Sequence, residues 1–426
     1  PKGVVITHRA LTNYATVIPA RLGLGEPGDT YGLITPATTD FGNTIILTAL
    51  TTGGTIRTPE AGTVTNPAAM AQFVPAVDHL KIVPSHLASL WPLPLPRKAL
   101  ILGGEATPAD LARELTGTVV NHYGPTETTI GVLTHTSADA LGTPLPNVTA
   151  RILDEHLQPV PPGVPGHLHI SGPQLARGYH NNPVHTAEQF IPADGGERLY
   201  RTGDLARYNG DGTISYLGRT DHQIKIRGHR VETAEVEAVL RGHPAVTAAV
   251  AAKHDHRLIA YLVCDGTPPP TEELHRHLRK TLPEHMIPST FIPLASLPLT
   301  GNGKLDRRAL PEPGTDRPDL VTGFHEAATP TEQALVEIWS DLLKLDQIGV
   351  TDNFFDLGGH SLLATQVVTR IRQRFGVSVG VGTFFNQPTV REIAENVEDA
   401  ILAEIEDMSE TDALRELGDA DPEAPR

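Results

Sequence analysis

Between Leu310 and Ala328 the chain changes character, and that change limits what it can fold into. The stretch holds Pro311, Pro313, Gly314, Pro318 and Gly323 with scattered charge and little periodicity, which is the composition of a connector. Before it, short apolar runs alternate with Gly and Pro breaks. After it, from Thr331 to about Leu402, apolar residues recur at helical spacing: Leu335, Ile338, Trp339, Leu342 and Leu343, then Ala364, Val368, Ile371 and Phe375, then Val390 to Ile401. A single core does not suit both patterns. The 426 residues suffice for about two to four domains.

The upstream part divides again near Asp221. Over residues 1–220, Ile45–Leu50 and Ala109–Leu115 read as helices, and Ala99–Leu102 and Val119–Val120 as strands. Ala150–Leu153 and His167–Ile170 read as exposed or mixed strands. This is a mixed α/β domain. Residues 221–310 read strand, helix, strand, strand, helix, strand. Their helices cover Thr233–Leu240 and Thr271–Leu282, and a hairpin joins Val246–Ala251 to Leu258–Val263. That is a small α+β domain. Residues 311–328 are the linker, 329–402 a bundle of three or four helices, and 403–426 an acidic tail expected to be disordered after a helical start.

Net charge of −16 argues against a general nucleic-acid binder, which needs basic patches. The lone Cys264 rules out an internal disulfide and a Cys-rich zinc site, and fits a reducing cytosol. No apolar run approaches the ~18 residues of a membrane span, and no signal peptide is visible. His254, His256, His275 and His277 invite a metal reading, but their spacing fits solvated surface better.

Four short stretches carry the chemistry. Asn121-His-Tyr-Gly-Pro-Thr-Glu-Thr-Thr129 places hydroxyls and a carboxylate after a strand and a turn. Tyr200-Arg-Thr-Gly-Asp204, Gly218-Arg-Thr-Asp-His-Gln-Ile-Lys225 and Leu299-Thr-Gly-Asn-Gly-Lys304 follow in order. Each alone reads as a polar turn between strands. Downstream, Asp356-Leu-Gly-Gly-His-Ser361-Leu puts a serine at a helix start, where exposed N–H groups suit a phosphate, although a serine there also serves as an ordinary cap.

Together these motifs closely resemble the adenylation domain of nonribosomal peptide synthetases, within the adenylate-forming superfamily. Asp352-Asn-Phe-Phe-Asp-Leu-Gly-Gly-His-Ser-Leu362 resembles the signature of a peptidyl carrier protein. The resemblance runs from Pro1 to about Leu402. Pro1-Lys2-Gly3 looks like the end of the family's glycine- and threonine-rich phosphate loop, so the expectation is a core domain that lacks its front part.

The resemblance implies ATP, Mg2+ and 4'-phosphopantetheine. Tyr123 would stack on adenine and Asp204 would bind the ribose hydroxyls. Thr126 would contact the α-phosphate, Arg219 the ribose or phosphate, and Lys2 belongs to the phosphate loop. Glu127 would hold the metal. Asp221 falls at the hinge. Lys304 would bridge carboxylate and phosphate in the first half-reaction, and Lys225 would face the site in the second. Ser361 would carry the phosphopantetheine.

The amino-acid pocket maps onto Asp40, Phe41, Thr44, Lys81, Ile101, Gly103, His122, Ile130, Gly131 and Lys304. Asp40 would pair with the substrate ammonium. Lys81 and His122 are two potential cations in one pocket, and the set is similar to that associated with aspartate. A buried lysine is costly unless it meets an anion; the bland alternative is that Lys81 snorkels out and His122 is an ordinary core histidine. Phe41 stands where aspartate readers usually have leucine, which keeps a β-substituted aspartate such as 3-methylaspartate open.

The partners implied are an amino acid, a phosphopantetheinyl transferase, downstream synthetase modules and, for some members, a small MbtH-like protein. No nucleic acid or membrane is implied, and the location is cytoplasmic. Two other classes stay open on the residues alone: an acyl- or aryl-CoA ligase, and a catalytically inactive carrier scaffold.

Overall fold

The computed structural model describes residues 2–37, 39–60, 62–138, 140–220, 223–226, 229–254, 257–299, 305–315, 317–318, 320, 322–359, 361–377, 379–380 and 382–407. Asp221, His256 and Lys304 lie outside the described residues, as does most of the acidic tail. The chain forms two compact units, Pro1–Thr233 and Ala234–Arg426.

The first unit is built on a seven-stranded sheet. Its strand order is Thr55–Arg57, Thr30–Gly32, His79–Ile82, Ala99–Gly103, Val119–Tyr123, Leu133–His135, Thr143–Pro144. The first five strands are parallel and the last two pairings antiparallel. Parallel strands need crossover connections, here including helices Asn43–Thr52, Pro84–Leu90 and Ala109–Glu114. Ala99–Gly103 is buried at every position, as its continuous apolar run requires. His79–Ile82 is equally buried although it alternates polar and apolar residues. Leu80 and Ile82 join the core that contains Leu100 and Leu102, and the two-residue period turns His79 and Lys81 to the other face.

The same unit carries a five-stranded antiparallel sheet in which Arg198–Tyr208 pairs with Phe190–Pro192, Gly166–Ser171 and Ile214–Arg219, and Thr149–Leu153 pairs with Gly166–Ser171. The strands at Ala150–Leu153 and His167–Ile170 form where expected, but they are more buried than expected. Ala150, Ile152, Leu168 and Ile170 all enter the core shared with Tyr14, Ile18 and Leu133. A hairpin, Gln223–Ile226 with His229–Glu232, follows.

In the second unit, Val246–His254 and Arg257–Cys264 pair antiparallel and Thr290–Pro293 adds parallel. Helix Thr271–Leu278 is shorter than the sequence pattern suggests. The amides of Thr281 and Leu282 still reach the Leu278 carbonyl, at 3.0 and 2.9 Å, but the chain is turning into Pro283, which disfavours helix in the residue before it. His275 is not solvated surface either. It is buried, with Nε2 3.0 Å from the Pro288 carbonyl and Nδ1 3.1 Å from Asp356. His277 is half-buried, with Nε2 2.9 Å from the Val239 carbonyl.

The helical end comprises Pro330–Leu343, Ser361–Phe375, Thr383–Asn386 and Val390–Asp407. A capping box of Thr329 and Glu332 starts the first helix, satisfying amides that would otherwise lack partners. Trp339, Phe354 and Phe384 are fully buried and pack edge-on or tilted at 4.7–6.1 Å.

The described part of the linker is bonded at both ends. Tyr261 donates to the Pro311 carbonyl at 2.7 Å, and Leu310 packs near Tyr261 and Ile292. Thr315 bonds Asp346 through side chain and backbone, at 2.5 and 2.8 Å. Arg317 grips the fully buried Asp352 with two hydrogen bonds of 2.7 and 2.5 Å. Arg317→Met should leave that carboxylate buried without its counter-ion, at a cost of about 3–5 kcal/mol. The expected readout is faster amide hydrogen exchange over residues 346–357 with unchanged exchange in the first unit.

Candidate active site

Three adjacent parallel strands bring the pocket residues together near their carboxyl ends. Lys81 pairs in register with Ile101, and Gly103 with His122. In open α/β sheets that edge is where ligands bind. Asp40 and Phe41 lie on the turn Asp40–Gly42, and Thr44 follows in the first turn of its helix. Lys81 does not snorkel out: it is 3% exposed, donates to Thr44 Oγ1 at 2.8 Å and sits 4.2 Å from the Phe41 ring centroid. Burial pushes its pKa down to about 7, with Asp40 opposing. For His122, burial first and Lys81 second push the pKa well below the usual histidine value. At neutral pH His122 is therefore a neutral imidazole beside Lys81, not a second cation.

Two glycines shape this floor. A Cβ on Gly131 would lie 2.0 Å from His122 Nε2, and one on Gly103 would lie 2.5 Å from the His122 carbonyl oxygen. Thr129 and Ile130 both hold positive φ, 62° and 69°, which is unusual strain for β-branched residues. A cavity of about 260 Å³ lies alongside, lined by Thr7, His8, Asp40, Thr126, Thr129 and Ile130 among others. It joins one end of the amino-acid set to the residue expected at the α-phosphate.

The residues expected at the nucleotide also converge. Asp204 and Arg219 are cross-strand partners, joined by a 2.5 Å bond. Tyr123 donates to the other oxygen of Asp204. Burial and then Asp204 push the Tyr123 pKa well above its ordinary value, so the phenol stays a donor. Arg219 also donates to the Thr202 carbonyl at 2.9 Å and to Gln223 at 3.0 Å. Lys225 is half-buried opposite Arg230 in the hairpin. Burial lowers its pKa; Asp204 opposes this, and Arg219 and Arg230 add to it.

Glu127 is fully buried. It accepts from Tyr179 at 2.6 Å and from Arg230 at 2.8 and 2.9 Å. Burial would raise its pKa, but these partners outweigh it and hold the carboxyl below its usual value. Among the described residues no group of three or more His, Cys, Asp or Glu could hold a metal ion. Both Glu127 oxygens are taken by Arg230, and one also by Tyr179, so a Mg2+ held by this one carboxylate and nucleotide phosphates would have to displace Arg230. Lys2 pairs with Glu232 at 3.1 Å and lies 5.6 Å from the Tyr179 ring centroid.

Tyr14, Tyr179 and Arg230 were missed by sequence reasoning. Tyr14 offered one signal, a polar aromatic on the same helix face as Ile18 and Leu22. In the second unit, Ser361 is the first residue of its helix, and the loop before it is tight: Gly358 has φ +94°, and a Cβ on Gly359 would meet Phe354 at 2.3 Å.

Residues 1–180 match the family described as AMP-binding enzyme, 235–304 the AMP-binding enzyme C-terminal domain, and 333–397 the phosphopantetheine attachment site. The chain is 40% identical over 424 residues to a dimodular nonribosomal peptide synthase of Bacillus subtilis, covering 93% of this chain and 18% of that one. It is 41% identical over 416 residues to one of the linear gramicidin synthase polypeptides of Brevibacillus parabrevis, covering 93% of this chain and 5% of that one. The chain thus spans less than a fifth of the length of these relatives. It is also similar to a solved nonribosomal peptide synthetase protein containing adenylation and PCP domains bound to a vinylsulfonamide inhibitor. That match has a TM-score of 0.75 and 25% identity, over 94% of this chain and 70% of that one.

Proposed function

Because the chain belongs to the nonribosomal peptide synthetase family, as an adenylation domain with its C-terminal subdomain followed by a phosphopantetheine carrier domain, we propose that it activates an acidic amino acid and loads it onto its own carrier. The acid is aspartate or a β-substituted aspartate such as 3-methylaspartate. Its carboxylate attacks the α-phosphate of ATP, giving the aminoacyl adenylate and pyrophosphate. The carrier thiol then attacks the acyl carbon, a thioester forms, and AMP leaves.

Asp204 takes the ribose hydroxyls, Tyr123 the adenine, and Thr126 and Arg219 the phosphate and ribose side. Lys304 supplies positive charge in the first step, and Lys225 faces the second. Glu127 is the residue to hold Mg2+, which when bound would neutralise phosphate charge. Asp40 pairs with the substrate ammonium. Downstream modules would receive the thioester.

The observation that carries the acidic substrate is the buried Lys81 ammonium beside Thr44. A side-chain carboxylate would compensate its burial; an apolar or amide side chain would not. The test is amino-acid-dependent ATP–pyrophosphate exchange. Aspartate or 3-methylaspartate should exceed every neutral amino acid, and a neutral amino acid preferred over both would overturn the reading.

Lys81→Ala should lower kcat/KM for the acid about 10- to 100-fold, the loss of a charge-assisted hydrogen bond of about 1.5–3 kcal/mol, with little change in the KM for ATP. The pH dependence has a defined sign. With the pKa at about 7 in the unliganded pocket and raised by a bound anion, affinity is full below 7 and weakens as pH rises. The KM for the acid should climb by up to about tenfold per pH unit between roughly pH 7.5 and 8.5. Lys81→Ala should flatten that slope.

A further inference from the structure

We infer that Tyr14 is a specificity-positioning residue: through Thr44 and His122 it fixes the pocket floor as a hydrogen-bond donor and so selects an anionic side chain. This rests on the acidic-substrate reading above and extends it to a residue outside the pocket set read from the sequence.

Tyr14 belongs to helix His8–Leu22 and is fully buried. A buried phenol normally finds a polar partner. Its Oη lies 2.7 Å from Thr44 Oγ1 and 3.4 Å from His122 Nε2, and Thr44 Oγ1 in turn accepts from Lys81 at 2.8 Å. Lys81, Thr44, Tyr14 and His122 therefore form one buried line.

Proton counting limits how the line is wired. An ammonium only donates, and each hydroxyl has one proton. Either Thr44 donates to Tyr14 and Tyr14 to His122 Nε2, or the two bonds run the other way and converge on Thr44. The first arrangement points every O–H away from the Lys81 charge, and each bond polarises the next in the same sense. The second turns the positive ends of two dipoles toward the ammonium. The first is favoured, and it makes His122 Nε2 an acceptor. In a neutral ring the proton then sits on Nδ1.

His122 Nδ1 is buried with no hydrogen-bond partner among the described residues. A buried N–H without a partner calls for an acceptor from a ligand. Gly131 bears on the consequence. Its Cα abuts the ring, and a side chain there would collide with it, so the ring is held where Tyr14 can set its tautomer. In this tautomer the buried line offers a substrate side chain two donors, the Lys81 ammonium and the His122 Nδ1–H. A carboxylate accepts from both and matches the charge of the ammonium; the carboxamide of asparagine is neutral and has one acceptor oxygen, its other end being a third donor set among donors.

The test uses the full chain. Tyr14→Phe keeps the ring packing and removes only the hydroxyl. In pyrophosphate exchange with aspartate and asparagine, the aspartate-to-asparagine ratio of kcat/KM should fall roughly tenfold or more, carried by KM for aspartate, with KM for ATP and the thermal midpoint nearly unchanged. Thr44→Val should reproduce the fall, and the double variant should not deepen it. Thr44→Ser should restore the ratio. A histidine-selective 15N spectrum, with His122 identified by its loss in His122→Gln, should show the Nδ1–H tautomer in the wild type and its depletion in Tyr14→Phe. An unchanged ratio in Tyr14→Phe, an equal fall for both amino acids, or an Nε2–H tautomer in the wild type would overturn the inference while leaving the acidic substrate standing. Wild-type preference for a neutral amino acid would overturn both.

Discussion

Ser361→Ala abolishes carrier loading and leaves amino-acid activation intact. This is the expected result with the largest effect, because it removes the only atom proposed to hold the phosphopantetheine. The physical case is local. Ser361 opens helix Ser361–Phe375, where unsatisfied amides and the positive end of the helix dipole stabilise a phosphodiester. Gly358 and Gly359 allow the preceding loop to close tightly against Phe354. Intact mass after treatment with a phosphopantetheinyl transferase and coenzyme A should show one added arm on the wild type and none on Ser361→Ala. Subsequent ATP and aspartate should add one aminoacyl group only to the armed protein. Pyrophosphate exchange should agree between the two within about twofold, since the adenylation half-reaction does not use the carrier serine. Arm attachment to the alanine variant would place the modification elsewhere.

Asp204→Asn should be nearly as severe, but on the other half-reaction. Asp204 is 4% exposed and anchors both Tyr123 and Arg219. The amide keeps the shape and loses the charge. Arg219 then faces a neutral group in a buried position, and Tyr123 loses the acceptor that orients it. Removing one partner of a buried pair costs about 3–5 kcal/mol. If most of that appears at the nucleotide, kcat/KM for ATP should fall about 10²- to 10³-fold, with the KM for aspartate little changed. Thermal unfolding measured in parallel separates the two destinations of the cost. A loss below threefold in kcat/KM for ATP would remove Asp204 from the nucleotide site.

The sequence was most legible where one physical signal dominated. Ala99–Gly103 reads as a strand because both of its faces are apolar, and Ala364, Val368 and Ile371 read as a helix face because the core takes all three. His79–Ile82 escaped because its polar residues, His79 and Lys81, broke the apolar run. They are tolerated in the interior because Asp29 meets His79 at 2.8 Å and Thr44 meets Lys81, and neither contact is local in sequence. His275 looked like surface for the same reason: its two acceptors, Pro288 and Asp356, lie 13 and 81 residues away. In the pocket, the sequence named Lys81 and His122 as two cations. That one loses its charge follows from their shared burial, which only the fold supplies. Tyr14 and Arg230 act through partners more than 100 residues distant, His122 and Glu127.

The bonded linker has a consequence for anyone who cuts and splices such chains. Eighteen connector residues suggest a generous choice of crossover point. The contacts say otherwise. Leu310 and Pro311 are held by the α+β domain through Tyr261, whereas Thr315 and Arg317 are held by the helical domain through Asp346 and Asp352. Only residues 312–314 lie between these two anchorages, and the four steps from Pro311 to Thr315 reach at most about 14 Å. A graft joined downstream of Arg317 would strip the helical domain of its own arginine and leave the buried Asp352 without its counter-ion. A graft joined upstream of Pro311 would take from the α+β domain the carbonyl that Tyr261 donates to. The natural suture is three residues wide.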